Sequence, residues 1–275
     1  MTTDKRKEVF LNAYKSLIES GGFLKMLSYR AKGSLSRFSL NNITLLMWQA
    51  LVTNKPMPTI LKTYQQWQGE GRQVQRYEHG WYVYGPHFRK PKKGEECDDP
   101  NGILTGFHII HEFDITQTEG EPYLEAPAPL TTQTMADALI EVKEWAKTQG
   151  LKVREREARD CGSAKGWYDR KTNEIALSMD LSTDEAFSVL IHELIHAQGV
   201  SYEKYERKDA EMIAETAAAI VCLGYGLDTL GQATDYVAWW AGQDPERAIS
   251  LLEKAEREAR TLEKKLKPKK EKVAA

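Results

Sequence analysis

The chain has 275 residues, 41% of them hydrophobic and 28% charged, and a formal net charge of −2. This length suits about two domains, and the composition supplies enough apolar material for packed cores, which excludes wholesale disorder. No apolar run approaches the roughly 18–20 residues of a membrane span, and the start MTTDKRKEVF lacks a signal-like apolar stretch. Three scattered cysteines (Cys97, Cys161, Cys222) make no disulfide framework. The expectation is a cytoplasmic protein with no membrane partner.

In chain order, Val9, Phe10, Ala13, Tyr14, Leu17 and Ile18 recur at helical spacing until Gly21-Gly22 stops them. A basic helical stretch runs from Phe23 to Lys32. Asn41 or Asn42 then offers a cap for a helix carrying Ile43, Leu46, Met47 and Ala50. A short helix passes through Tyr64 and Trp67. The segment RQVQRYEHGWYVYGP reads as a hairpin turning at His79-Gly80. After a polar loop, Ile103 to Thr116 reads as a long strand with Phe107, Ile109, His111, Phe113 and Ile115 on one face. Residues 117–133, with three prolines, form the linker candidate. A helix through Met135, Leu139, Val142 and Trp145 follows, then a strand near Leu151–Val153 and a hairpin, GWYDRKTNEIALS, turning at Arg170–Asn173. Helices complete the chain. Ser182 and Glu185 form a capping box at the first of them, and Trp239-Trp240 read as core.

That capped helix carries His192-Glu193-Leu194-Ile195-His196. Two histidines four apart share a helix face, so both imidazoles can reach one cation. Zinc (Zn2+) suits such a pair, because it accepts neutral imidazole in a four-coordinate site. Glu193 is placed to act as general base on the attacking water and to carry its proton to the leaving amine. A catalytic zinc needs a third protein ligand and one open position. The next helix offers Glu211 and Glu215, four apart on one face. Glu211 is the expected ligand, and Glu215 the acceptor that orients a ligand imidazole. The remaining histidines (His79, His87, His108, His111) follow no ligand spacing and read as structural.

Charge is unevenly placed. Residues 1–93 hold 16 Lys/Arg against 5 Asp/Glu, a balance of +11; residues 94–125 hold nine acids and no base; residues 126–275 stand at −4. A basic block of this size is the footprint of a polyanion binder. Its cations alternate with aromatics, which suits single strands, where phosphates meet cations and bases stack on rings. The candidate contacts are Arg30, Arg37, Asn42, Trp67, Arg72, Arg76, Arg89 and Lys90. No zinc-finger, helix-turn-helix or RRM signature is visible.

Several motifs, in order along nearly the whole chain, resemble the ArdC-type antirestriction proteins of plasmids and phages. They are FSLNNITLLMWQA (38–50), TYQQWQGEGRQVQRYEHGWYVYGP (63–86), FDITQTEG (113–120), HELIH with AEMIAET (210–216), and YVAWW…DPERAIS (236–250). The resemblance implies an N-terminal domain that binds single-stranded DNA, a C-terminal zincin-like metallopeptidase domain, and a role in shielding incoming DNA from restriction. Departures are His79 in place of the usual lysine of the hairpin turn and Tyr77 where glycine is common. The family often has two adjacent acids where this chain has Ala210-Glu211, which favours Glu211 as third ligand.

The expected architecture is α+β in two domains. Residues 1–125 would join helices to an antiparallel sheet. Residues 126–275 would form the zincin-like unit, with a small sheet and the H-E-x-x-H helix. The expected function is single-stranded-DNA binding with zinc-dependent peptide hydrolysis of a protein substrate. Two alternatives stand beside it: a DNA-binding protein with a purely structural zinc, and a plain zinc endopeptidase whose basic domain binds a protein partner.

Overall fold

The computed structural model describes residues 12–14, 16–17, 22–31, 33–92, 94–97, 101–123, 134–157, 159, 164–229 and 244–266. The architecture is α+β, with helices beside small, mainly antiparallel sheets. The chain divides into two compact units, one of residues 1–32 and 128–275, the other of residues 33–127. This differs from the expected division of 1–125 and 126–275. Helix α1 (Phe23–Ala31) joins the later unit because Met26 and Leu27 are fully buried and Arg30 ends on carboxylates of the last helix.

In the 33–127 unit, helix α2 (Leu40–Thr53) starts at Ser39, whose side chain accepts from the Asn42 amide. The cap is thus Ser39 and not Asn41 or Asn42. Strands β1 (Leu61–Lys62), β4 (Ile103–Asp114) and β3 (Trp81–Arg89) form a sheet in that spatial order, both pairings antiparallel. Helix α3 (Tyr64–Gly69) starts at a capping box of Thr63 and Gln66. Strand β2 (Arg72–Val74) pairs with β5 (Thr118–Gly120), not with β3. The expected 72–86 hairpin is therefore absent; its two halves lie in different ladders. Tyr77 turns the chain between them with φ 71°, a left-handed value that few side chains tolerate.

Two side chains of α2 complete the sheet. The Asn42 amide donates to the Tyr84 carbonyl at 2.9 Å and accepts from the Tyr84 N–H at 2.8 Å; Gln49 does the same with Tyr82 at 2.9 and 2.8 Å. These amides stand in for a neighbouring strand and satisfy the edge of β3.

The FDITQTEG segment ties the unit together. Asp114 accepts from the backbone of Thr59 (2.6 Å), Ile60 (2.9 Å) and Thr116 (3.2 Å). Gln117 donates to Glu78 (2.6 Å) and to the His79 carbonyl (2.9 Å), pinning the loop after β2. Thr118 accepts from the Arg72 Nε at 2.8 Å. Residues expected in a linker from 117 onward thus include β5, while 124–133 lie outside the described residues.

In the other unit, α4 (Met135–Thr148) precedes a three-stranded sheet of β6 (Lys152–Arg156), β8 (Glu174–Ser178) and β7 (Gly166–Asp169), in that spatial order. Strand β6 runs parallel to β8, and β7 forms the expected antiparallel hairpin with it. Helices α5 (Thr183–Ala197), α6 (Arg207–Gly224) and α7 (Pro245–Leu266) follow. The core joins Phe187, Leu190, Ile191 and Ile195 of α5 to Ile175 and Leu177 of β8 and to Met212, Ile213 and Ile220 of α6. Ala210, Ala214 and Ala217 are fully buried along one side of α6, which leaves room for close helix packing. At Gly166 a Cβ would meet Val189 Cγ1 at 2.6 Å, so glycine lets β7 lie directly on α5. No helix of the described residues is long and apolar enough to cross a membrane. Cys97 and Cys222 are not joined in a disulfide; Cys161 and Trp239-Trp240 lie outside the described residues.

Candidate metal centre

Helix α5 begins with a reciprocal cap: Ser182 Oγ accepts from the Glu185 amide at 3.3 Å, and the Glu185 carboxylate accepts from the Ser182 amide at 3.2 Å. This fixes the start of a helix whose one face is core, and the same phase turns His192 and His196 toward α6. Their Nε2 atoms lie 3.1 Å apart. Two ligands at about 2.05 Å on a tetrahedral ion would stand about 3.3 Å apart, so the pair already has the spacing of a shared cation.

Glu211, one turn into α6, completes the cluster. Its Oε2 is 3.5 Å from His192 Nε2, and its Oε1 is 3.9 Å from His196 Nε2. One ligand atom from each of His192, His196 and Glu211 falls within 4.8 Å of the others, the single such group among the described residues. Two imidazoles and a carboxylate, with no fourth ligand grouped with them among the described residues, match the donor set of a catalytic divalent site with an open position.

The surrounding groups orient the ligands. His196 Nδ1 lies 2.6 Å from the Val200 carbonyl, which makes Nδ1–H the donor and leaves Nε2 bare for a cation. His192 Nδ1 faces Glu215 Oε1 at 3.5 Å. The Tyr202 hydroxyl donates to Glu211 Oε1. The Tyr168 backbone amide donates to Glu193, a residue only 7% exposed.

The electrostatics follow from burial and this crowd of acids. Burial lifts the Glu193 carboxyl to about 7 against the pull of His192. Glu215 is raised too, chiefly by burial. Glu211 is held at about 2, because its bonds with His192 and Tyr202 outweigh its burial. Burial works to lower both histidines: His196 does fall, while bonds and charges from Glu211, Glu215 and Glu193 carry His192 upward. A bound dication would favour the neutral form of both imidazoles.

The cluster opens into a cleft of about 1450 Å3, lined by Trp167 and Tyr168 of β7, by Val200 to Lys204, and by the faces of α5 and α6 that carry His192, His196 and Glu211. That exceeds the 300–1,000 Å3 usual for small-molecule pockets and suits a stretch of polymer. Tyr202, Val200 and Tyr168 escaped the sequence reading. A loop tyrosine, a backbone carbonyl and a strand amide have no spacing relation to the H-E-x-x-H motif that would mark them.

The expected nucleic-acid contacts fare unevenly. Arg30 is 2% exposed and ion-paired with Glu256 (3.2 Å) and Glu263 (2.9 Å); it is an internal strut. Asn42 serves the β3 edge. Trp67 is fully buried and donates to the Phe113 carbonyl at 2.8 Å. Arg72 spends its guanidinium on Thr118 and on the Glu121 carbonyl. In all four a side chain with the chemistry to meet a nucleic acid instead serves the protein's own carboxylates, hydroxyls or backbone. Arg37 pairs with the buried Glu112 and lies over Phe38, and Arg89 pairs with Glu95 at 2.7 Å. Arg76 lies over the exposed Tyr77 ring, and Lys90 is exposed. The unit of residues 33–127 contains nine Lys/Arg and eleven Asp/Glu, so it is not basic as a body.

No family model matches the chain. No curated protein matches it either. Among solved structures, the metal-free crystal structure of the antirestriction protein ArdC from plasmid R388 matches over 94% of this chain and 96% of that one, at 16% identity and a TM-score of 0.54. The Mn(II)-bound structure of the same protein matches over 82% and 84%, at 17% identity and a TM-score of 0.52. Over nearly its full length, the chain has the fold of the ArdC antirestriction protein.

Proposed function

We propose that this protein is an ArdC-like antirestriction factor of the cytoplasm that hydrolyses peptide bonds at a zinc centre and binds single-stranded DNA. The observation that carries the first part is the convergence of His192, His196 and Glu211 beside the buried Glu193, at the floor of a polymer-sized cleft. His192, His196 and Glu211 would hold the ion. A bound divalent ion supplies Lewis acidity to a scissile carbonyl. Glu193 takes the proton of the attacking water and delivers it to the leaving amine. Val200 and Glu215 keep the imidazoles aimed, and Tyr168 keeps Glu193 in place. Zinc is favoured by the two imidazoles and the single carboxylate; a manganese ion occupies the R388 protein in one of its structures.

The test is Glu193→Gln in the full chain, assayed on a fluorogenic peptide library with metal content measured in parallel. Hydrolysis is expected to vanish while zinc content stays at the parent level. Retained hydrolysis excludes Glu193 as the base. Zinc-loaded parent protein that cuts nothing leaves the metal a structural role.

For DNA, support comes from the outer face of the β3–β4 pair. Tyr82 and His111 stand opposite each other in edge contact at 4.9 Å, and Phe107 and Ile109 are 53% and 45% exposed on the same face. Exposed rings in a row are a stacking platform for unpaired bases. Because the unit is not basic, stacking carries the binding. Tyr82→Ala and Phe107→Ala should each cost about 1–3 kcal/mol of oligonucleotide affinity. The salt dependence should be shallow, a log–log slope of about −1.4 to −2.1, equal to two or three phosphate contacts. An oligonucleotide that fails to bind at low salt removes the DNA role.

A further inference from the structure

The segment between α5 and α6 touches two of the three metal ligands. Val200 gives its carbonyl to His196 Nδ1 at 2.6 Å, and two residues later the Tyr202 hydroxyl donates to Glu211 Oε1. The segment is itself a tight turn, in which the amides of Lys204 (3.1 Å) and Tyr205 (3.0 Å) both return to the Ser201 carbonyl. The Tyr202 ring lies 5.5 Å from the His196 ring, and the Arg207 guanidinium lies 5.5 Å from its centroid. Yet the residue is 54% exposed, too open for its packing alone to hold it there.

We propose that Tyr202 is a positioning residue that makes Glu211 a one-oxygen metal ligand and thereby sets the centre's preference for zinc over manganese. The inference rests on the metal-centre reading above. The two carboxylate oxygens of Glu211 are not equivalent: each faces one imidazole, Oε2 at 3.5 Å from His192 Nε2 and Oε1 at 3.9 Å from His196 Nε2, but only Oε1 also accepts the phenol. A carboxylate with one oxygen engaged by a hydroxyl presents the other singly. Two imidazoles and one oxygen leave a four-coordinate site with one open position, which is the geometry of zinc. Releasing Oε1 allows both oxygens to bind, and the added hard oxygen with a higher coordination number suits manganese.

The experiment titrates the full-length chain and its Tyr202→Phe variant with Zn2+ and with Mn2+, each in competition with a chromophoric chelator. Phenylalanine keeps the ring over His196 and removes only the hydroxyl. The variant is expected to lose about tenfold in Zn2+ affinity and to keep Mn2+ affinity within about threefold, so that the preference for zinc narrows. Unchanged affinities for both ions overturn the proposal. Equal weakening of both also overturns it, because a phenol that merely braces the fold would shift the two together. The melting temperature of the metal-free variant should equal the parent's. A parent that binds neither ion brings down the metal-centre reading, and this inference with it. A parent that binds both while the variant behaves identically brings down this inference alone.

Discussion

Arg30 shows what a buried cation does in this chain. Its guanidinium meets Glu256 and Glu263 of α7, and Glu256 also holds Arg260 at 3.0 Å. Replacing it with methionine takes one ion pair from the buried Glu256 and one from the partly exposed Glu263. Breaking a buried pair costs about 3–5 kcal/mol, and the retained Arg260 puts Arg30→Met near the lower end. Urea unfolding would measure that loss; a change under about 1 kcal/mol would show the pair to be incidental. Trp67→Phe removes the donor to the Phe113 carbonyl at the centre of the other unit. It should cost about 1–3 kcal/mol for the unsatisfied acceptor, plus the lost ring volume. Neither substitution should change oligonucleotide affinity in the folded protein. From the sequence both residues read as DNA contacts. The composition of a stretch records which groups are available, while a buried acid 226 residues away decided the fate of Arg30.

Among the elements, α5 depends on its first turn. Ser182→Ala removes the acceptor for the Glu185 amide and should destabilise by about 1 kcal/mol. The reciprocal partner has a pH signature. Glu185 is held at about 2 by its bonds with Lys165 and Ser182, below its ordinary 4.5. A carboxyl whose folded value is depressed stabilises above the unfolded value and loses that contribution as pH falls through the folded one. Parent stability should therefore decline between about pH 4.5 and 2, and Glu185→Gln should flatten that part of the curve. A variant with the same acid slope as the parent would place the linkage elsewhere. This helix was legible in advance because its cap, its period and its paired histidines are all local. Strand β4 was legible only in part. Its alternation was right, but Phe107, Ile109 and His111 face outward while Glu112 and Asp114 point in, to Arg37 and to the backbone of Thr59 and Ile60. Hydrophobicity alone would have turned the strand over. The misread hairpin has a similar origin: residues 72–74 and 81–86 are both strands, but β5, more than forty residues later, claims the first of them.

At the scale of the whole molecule, the proposed ligands lie within residues 192–211 of one unit, so an ion held there should stabilise that unit selectively. Zinc at a thousandfold excess over its Kd adds about 4 kcal/mol. In hydrogen exchange, amides of α5 and α6 should gain protection on zinc addition and lose it with a chelator, while those of α2, β3 and β4 should stay as they were. Equal gains in both units would show that the ion acts on the molecule at large.

The chain's local order was enough to determine the helix that carries His192, Glu193 and His196, the next helix with Glu211 and Glu215, and the hairpin before them. Each follows from spacing and capping within a few turns, where neighbours in sequence are neighbours in space. Tertiary structure alone decided that the first helix belongs with the last ones, that the apparent basic half is split between two bodies, and that Tyr202 meets Glu211. Those outcomes hang on contacts between distant segments, where burial and partner geometry override what any short stretch prefers by itself.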